Sequence, residues 1–106
     1  MDKEKLMREY YENYENVQGL GLGELLLFGG MEPFIEGDAR QLRILNAVSD
    51  ICGSFQVSTR DFVKLITYGD FKKRRGISEV MALGLRLFIL FECGVDWISS
   101  DNVKRL

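Results

Sequence analysis

Residues 78–92 read SEVMALGLRLFILFE, and the way this stretch folds decides the rest of the chain. From Val80 to Phe91 only Gly84 and Arg86 interrupt the apolar residues. Nothing alternates as in a strand with one wet face, and Ser78 supplies the hydroxyl that caps a helix start. The stretch is therefore read as a helix, apolar nearly all round. At twelve residues its apolar run is too short for a bilayer, which needs about 20. A helix of this kind is expected in the middle of a bundle. Arg86 then requires a route to solvent or an acidic partner, because a buried unpaired charge is costly.

Working outward, helical patterns recur. Residues 38–52 place Leu42, Leu45, Val48 and Cys52 on one face, with Asp38 expected as the cap. Residues 2–17 set Leu6, Tyr10, Tyr14 and Val17 on one stripe of an otherwise charged, acidic helix. Two shorter apolar segments, LGELLLF (22–28) and TRDFVKLITY (59–68), each run into a glycine, and Ser58 and Thr59 are candidate caps for the second. The expected fold is all-α: a compact bundle of five or six helices in a single domain, 1–106. Its parts are an N-terminal acidic amphipathic helix (1–17), a first helical unit (18–56), and a second unit with a C-terminal cap (57–106).

The two units match each other. At an offset of 40, Leu25, Leu26, Phe28 and Gly29 fall on Leu65, Ile66, Tyr68 and Gly69. At an offset of 41, Cys52–Gly53 falls on Cys93–Gly94, and Val57–Ser58 on Ile98–Ser99. A repeated short-helix/long-helix unit explains the match, as does the common need for glycine where a helix ends. The same alignment pairs two loops of opposite charge. MEPFIEGD (31–38) carries Glu32, Glu36 and Asp38, whereas FKKRRG (71–76) carries Lys72, Lys73, Arg74 and Arg75.

Composition excludes several chemistries. The chain has 106 residues, a net charge of −2, two cysteines 41 positions apart, and no histidine. Without histidine there is no Ser-His-Asp or Cys-His nucleophile and no histidine-containing zinc site. Two lone cysteines read as free thiols packed like small hydrophobes. The chain is thus expected to be non-enzymatic, with no cofactor and no metal. The start, MDKEKLMREYYENYEN, is charged from the outset and unlike a signal peptide, which gives a cytoplasmic, soluble reading with no membrane partner.

The candidate sites are surfaces. Lys72, Lys73, Arg74 and Arg75 precede Ser78 at a helix start, where free N–H groups and the helix dipole favour an anion or an acidic partner. Tyr11, Glu32 and Glu36 are candidate partner contacts. Arg40 and Arg43, with Gln41 and Asn46, form a polar side of helix 38–52 that suits base edges or phosphates. Helix-turn-helix binding through 78–92 is disfavoured, since that helix offers the groove little beyond Arg86. The alternating glycines of GLGLGELLLFGG do not complete a nucleotide-binding pattern, and they read as a packed hinge with room for close backbone approach. The leading functional reading is a protein-interaction module, a small regulator, inhibitor or assembly subunit, docking on a partner or on itself through its charged loops. The alternative is nucleic-acid binding, with 72–75 on the phosphate backbone.

Overall fold

The structure is a computed structural model, and it describes residues 20–98. The helix expected at 1–17, Tyr11 within it, and the terminal cap from Ser99 onward lie outside the described residues. Among the described residues, five helices and no strand fold into a globule: α1 (Leu22–Phe28), α2 (Asp38–Cys52), α3 (Thr59–Leu65), α4 (Tyr68–Lys72) and α5 (Glu79–Cys93). Helix α2 packs against α1, α3 and α5, and α4 packs against α5. No helix among the described residues is long and apolar enough to cross a membrane.

Capping chemistry sets the starts of α3, α4 and α5. The hydroxyls of Ser58, Thr67 and Ser78 accept the backbone N–H groups of Asp61, Asp70 and Met81, at 3.1, 3.1 and 3.2 Å. Two expectations are corrected here. Asp38 does not cap α2. Gly37, at φ 92°, takes that place and Asp38 becomes the first helical residue. The segment 59–68 is also two helices, because Ile66 adopts extended backbone and Thr67 recaps the chain as α4.

The core is drawn from every element. Leu22, Leu26 and Leu27 of α1 meet Ile44, Leu45 and Val48 of α2, Phe62 of α3, Phe71 of α4, and Leu85, Phe88 and Ile89 of α5. Trp97 is fully buried against Phe62 and Phe71, with ring centres 5.1 Å from each. Gly21 and Gly23 bring α1 directly onto the backbone after α2. The amide of Leu22 donates to the Val57 carbonyl at 2.8 Å, and a Cβ on Gly21 would lie 2.3 Å from the Phe55 carbonyl oxygen. The close approach expected of this glycine stretch is therefore made to the chain's own 55–57 segment. Glu24, buried, accepts the amide of Gly21 at 2.9 Å and closes the turn.

The long helices correspond closely. Both span fifteen residues, 41 apart, and both end at a cysteine followed by a left-handed glycine, Gly53 (φ 73°) and Gly94 (φ 69°). Four buried positions coincide as well: Gln41 with Ala82, Ile44 with Leu85, Ala47 with Phe88, and Val48 with Ile89. The short helices do not follow the sequence match. Helices α1 and α3 lie 37 residues apart, so Phe28–Gly29 ends α1 while Tyr68–Gly69 opens α4.

Helix α5 also departs from expectation, since only one side is covered. Met81, Ala82, Leu85, Phe88 and Ile89 are buried, whereas Val80, Leu83, Leu87, Leu90 and Phe91 are exposed. Arg86 finds its acidic partner in Asp96, with Nε 3.7 Å from Oδ1, and its guanidinium lies 5.4 Å from the Tyr68 ring centre.

Candidate functional site: two charged grooves flanking helix α2

Residues 40, 43, 47 and 50 fall three, four and three apart, and therefore share one side of α2. Two grooves open along it. The first, of about 370 Å³, is walled by the α1–α2 loop and the start of α5. Glu32, Glu36 and Arg40 supply its charge, and Pro33, Phe34 and Val80 its apolar walls. The loop is held from beneath by Gln41, which is fully buried and donates its side-chain amide to the Ile35 carbonyl at 2.8 Å. Gln41 is thus removed from the polar face on which the sequence pattern had placed it.

The second groove, of about 250 Å³, lies between α2 and the turn joining α4 to α5. Arg43, Asn46 and Asp50 of α2 face Arg74, Arg75 and Ile77 of the turn. Two sequence candidates far apart in the chain, the polar side of 38–52 and the basic run, thereby meet at one place. Arg74 Nη2 lies 3.7 Å from Asp50 Oδ2. Since the Asp50 side chain is mostly exposed, this pair tethers the turn weakly.

The basic run is divided by the backbone. Lys72 belongs to the last turn of α4 and Lys73 is its C-cap, where cations suit the negative end of the helix dipole. The Lys72 ammonium lies 5.1 Å from the Tyr68 ring centre. Arg74 and Arg75 alone of the four line the groove with Arg43. Gly76, at φ 86°, then turns the chain toward α5. Ser78 is exposed, but its hydroxyl is engaged as the cap of α5 rather than held free.

Asp50 and Ile77 were missed by sequence reasoning. Asp50 sits four residues beyond Asn46 on a helix already singled out, so its place on the face was readable, but its pairing with Arg74 is a tertiary fact. Cys52 and Cys93 are free and half-buried, and the Thr59 hydroxyl lies 3.2 Å from the Cys93 sulfur. Burial pushes the Cys52 thiol above its ordinary value, which works against thiolate chemistry there. In comparison with known proteins, no family model, no curated protein and no solved structure matches this chain.

Proposed function

We propose that the chain is a non-enzymatic protein-interaction module that docks across the outer side of α2. One observation carries this reading: the acidic groove at Glu32 and Glu36 and the basic groove at Arg74 and Arg75 flank the same side, bridged by Arg40 and Arg43 three residues apart. Opposite charges at the two ends of one surface fix the direction in which a partner lies and speed its encounter. The partner is another protein, or a second copy whose acidic end meets this basic end. In the cell the module acts as a small regulator, inhibitor or assembly subunit. A photoreactive residue placed at Arg43 in the native cell tests this. The expected result is a defined crosslinked species that disappears in Arg74→Glu/Arg75→Glu. A crosslink indifferent to both Arg74→Glu/Arg75→Glu and Glu32→Lys/Glu36→Lys would sink the idea.

The convergence of Arg43, Asn46, Arg74 and Arg75 favours a second reading, nucleic-acid binding, with the arginines on phosphate. It requires duplex affinity that falls with salt at a log–log slope of about −0.9 per phosphate contact. A low-salt mobility shift that is absent, or unchanged in Arg74→Glu/Arg75→Glu, removes this alternative.

A further inference from the structure

Helix α5 leaves an apolar seam at the surface. Val80, Leu83, Leu87 and Leu90 are exposed and lie three, four and three residues apart, with Phe91 beside the last. Val80 and Phe91, at the two ends, are 66% and 74% exposed. Single exposed leucines are ordinary, whereas a seam repeating every 3.5 residues or so is what one helix presents to another.

Charge narrows the occupant. At the N-terminal end of the seam Glu79 is exposed on α5, and Val80 walls the groove that holds Glu32 and Glu36. Two carboxylates, Glu32 and Glu36, share the groove with one cation, Arg40. The groove combines apolar walls with carboxylates, which suits the aliphatic stem and charged head of a lysine or arginine. A second copy is a poor occupant in either direction. Parallel pairing brings the two acidic ends together, and antiparallel pairing offers them no free cation, since Arg86, the one basic residue of α5, is paired with Asp96.

The geometry points to an amphipathic helix of a partner protein, apolar at heptad spacing along α5 and basic where it meets Glu32 and Glu36. This extends the protein-partner reading to a second surface, and Arg74→Glu/Arg75→Glu serves as its control. The probe is a labelled synthetic helix of about four heptads, leucine at the seam and lysine on the flanks, beside a twin with glutamate on the flanks. Anisotropy with the full chain is expected to show the lysine peptide binding about tenfold or more tightly than its twin. Glu32→Lys/Glu36→Lys inverts that preference, and Phe91→Glu weakens both peptides by a similar factor while circular dichroism shows an intact fold. Arg74→Glu/Arg75→Glu leaves the lysine peptide bound within about twofold, so failure of the groove reading and failure of the seam are told apart. The proposal is overturned by equal binding of the two peptides, by no binding of either, by binding unchanged in Phe91→Glu, or by a dimer of the chain that Phe91→Glu dissociates.

Discussion

The indole N–H of Trp97 donates to the carbonyl of Ile66 at 3.0 Å, closing the break between α3 and α4. Ile66 has extended backbone, with φ −147° and ψ 137°, so its carbonyl lies off the helical ladder. The indole supplies a donor there while its rings pack on Phe62, Tyr68 and Phe71. Trp97→Ala loses both contributions and is expected to cost about 3–5 kcal/mol. Trp97→Phe keeps most of the packing and strands the carbonyl, for about 1–3 kcal/mol. Urea unfolding followed by circular dichroism checks the order, and a Trp97→Phe protein as stable as its parent would show that the hydrogen bond is dispensable.

Two glycines separate close approach from backbone conformation. At Gly21 an added methyl would strike the Phe55 carbonyl and the Gln56 backbone, neither of which moves without unseating α1. Gly21→Ala is therefore expected to cost about 3 kcal/mol, the upper end of overpacking. At Gly53 the space is open but φ is 73°, so Gly53→Ala costs only the left-handed penalty of about 1–2 kcal/mol. Gly53→Asn should cost less still, since asparagine tolerates that conformation. If Gly21→Ala proved as mild as Gly53→Asn, the α1 contact with 55–57 would not be tight in solution.

How much of this was readable in advance follows from the range of the forces involved. Helix starts at Ser58 and Ser78 and stops at Gly53 and Gly94 depend on neighbours within four residues, and so appear in the sequence. The break at Ile66–Thr67 was signalled by Thr67 three residues before Asp70, but the mostly apolar stretch 62–66, interrupted only by Lys64, masked it. The covered side of α5 was not readable. With apolar residues all round, only packing decides which side is buried, and here Gly84 settles it. It brings α5 so close to the Phe34 carbonyl that a Cβ would lie 2.3 Å from it. The candidate groove fared similarly. Each of its basic halves was legible as charge, but their meeting depends on how α2 packs beside the α4–α5 turn.

Burial of Cys52 gives stability a defined pH dependence. Its thiol titrates higher in the folded chain than in the unfolded one, where it ionises near about pH 8.5. Below that pH both states are protonated and the contribution is fully present. As pH rises through the folded value, the unfolded state releases its proton first and gains ground. Stability should therefore fall above about pH 8.5 more steeply in the parent than in Cys52→Ala. Urea midpoints at pH 7 and pH 9.5 for both proteins provide the check, and parallel losses would place Cys52 in contact with water.

The basic turn allows function and stability to be dissociated at neighbouring residues. Ser78 accepts the Met81 amide as a cap, so Ser78→Ala is expected to lower stability by about 1 kcal/mol. Because its hydroxyl is engaged, the same change should leave retention on low-salt heparin unaltered. Arg74 and Arg75 behave in the opposite way. The Arg74–Asp50 pair spans 3.7 Å with the carboxylate largely in water, and such pairs contribute under about 1 kcal/mol. Arg74→Glu/Arg75→Glu should therefore fold normally yet elute from heparin at lower salt, with Arg43→Glu adding to the shift because it lines the same groove. Loss of retention in Ser78→Ala comparable to that in the arginine pair would relocate the anion to the start of α5. Unfolding of the arginine pair would make the turn a structural element first, and its charges a consequence.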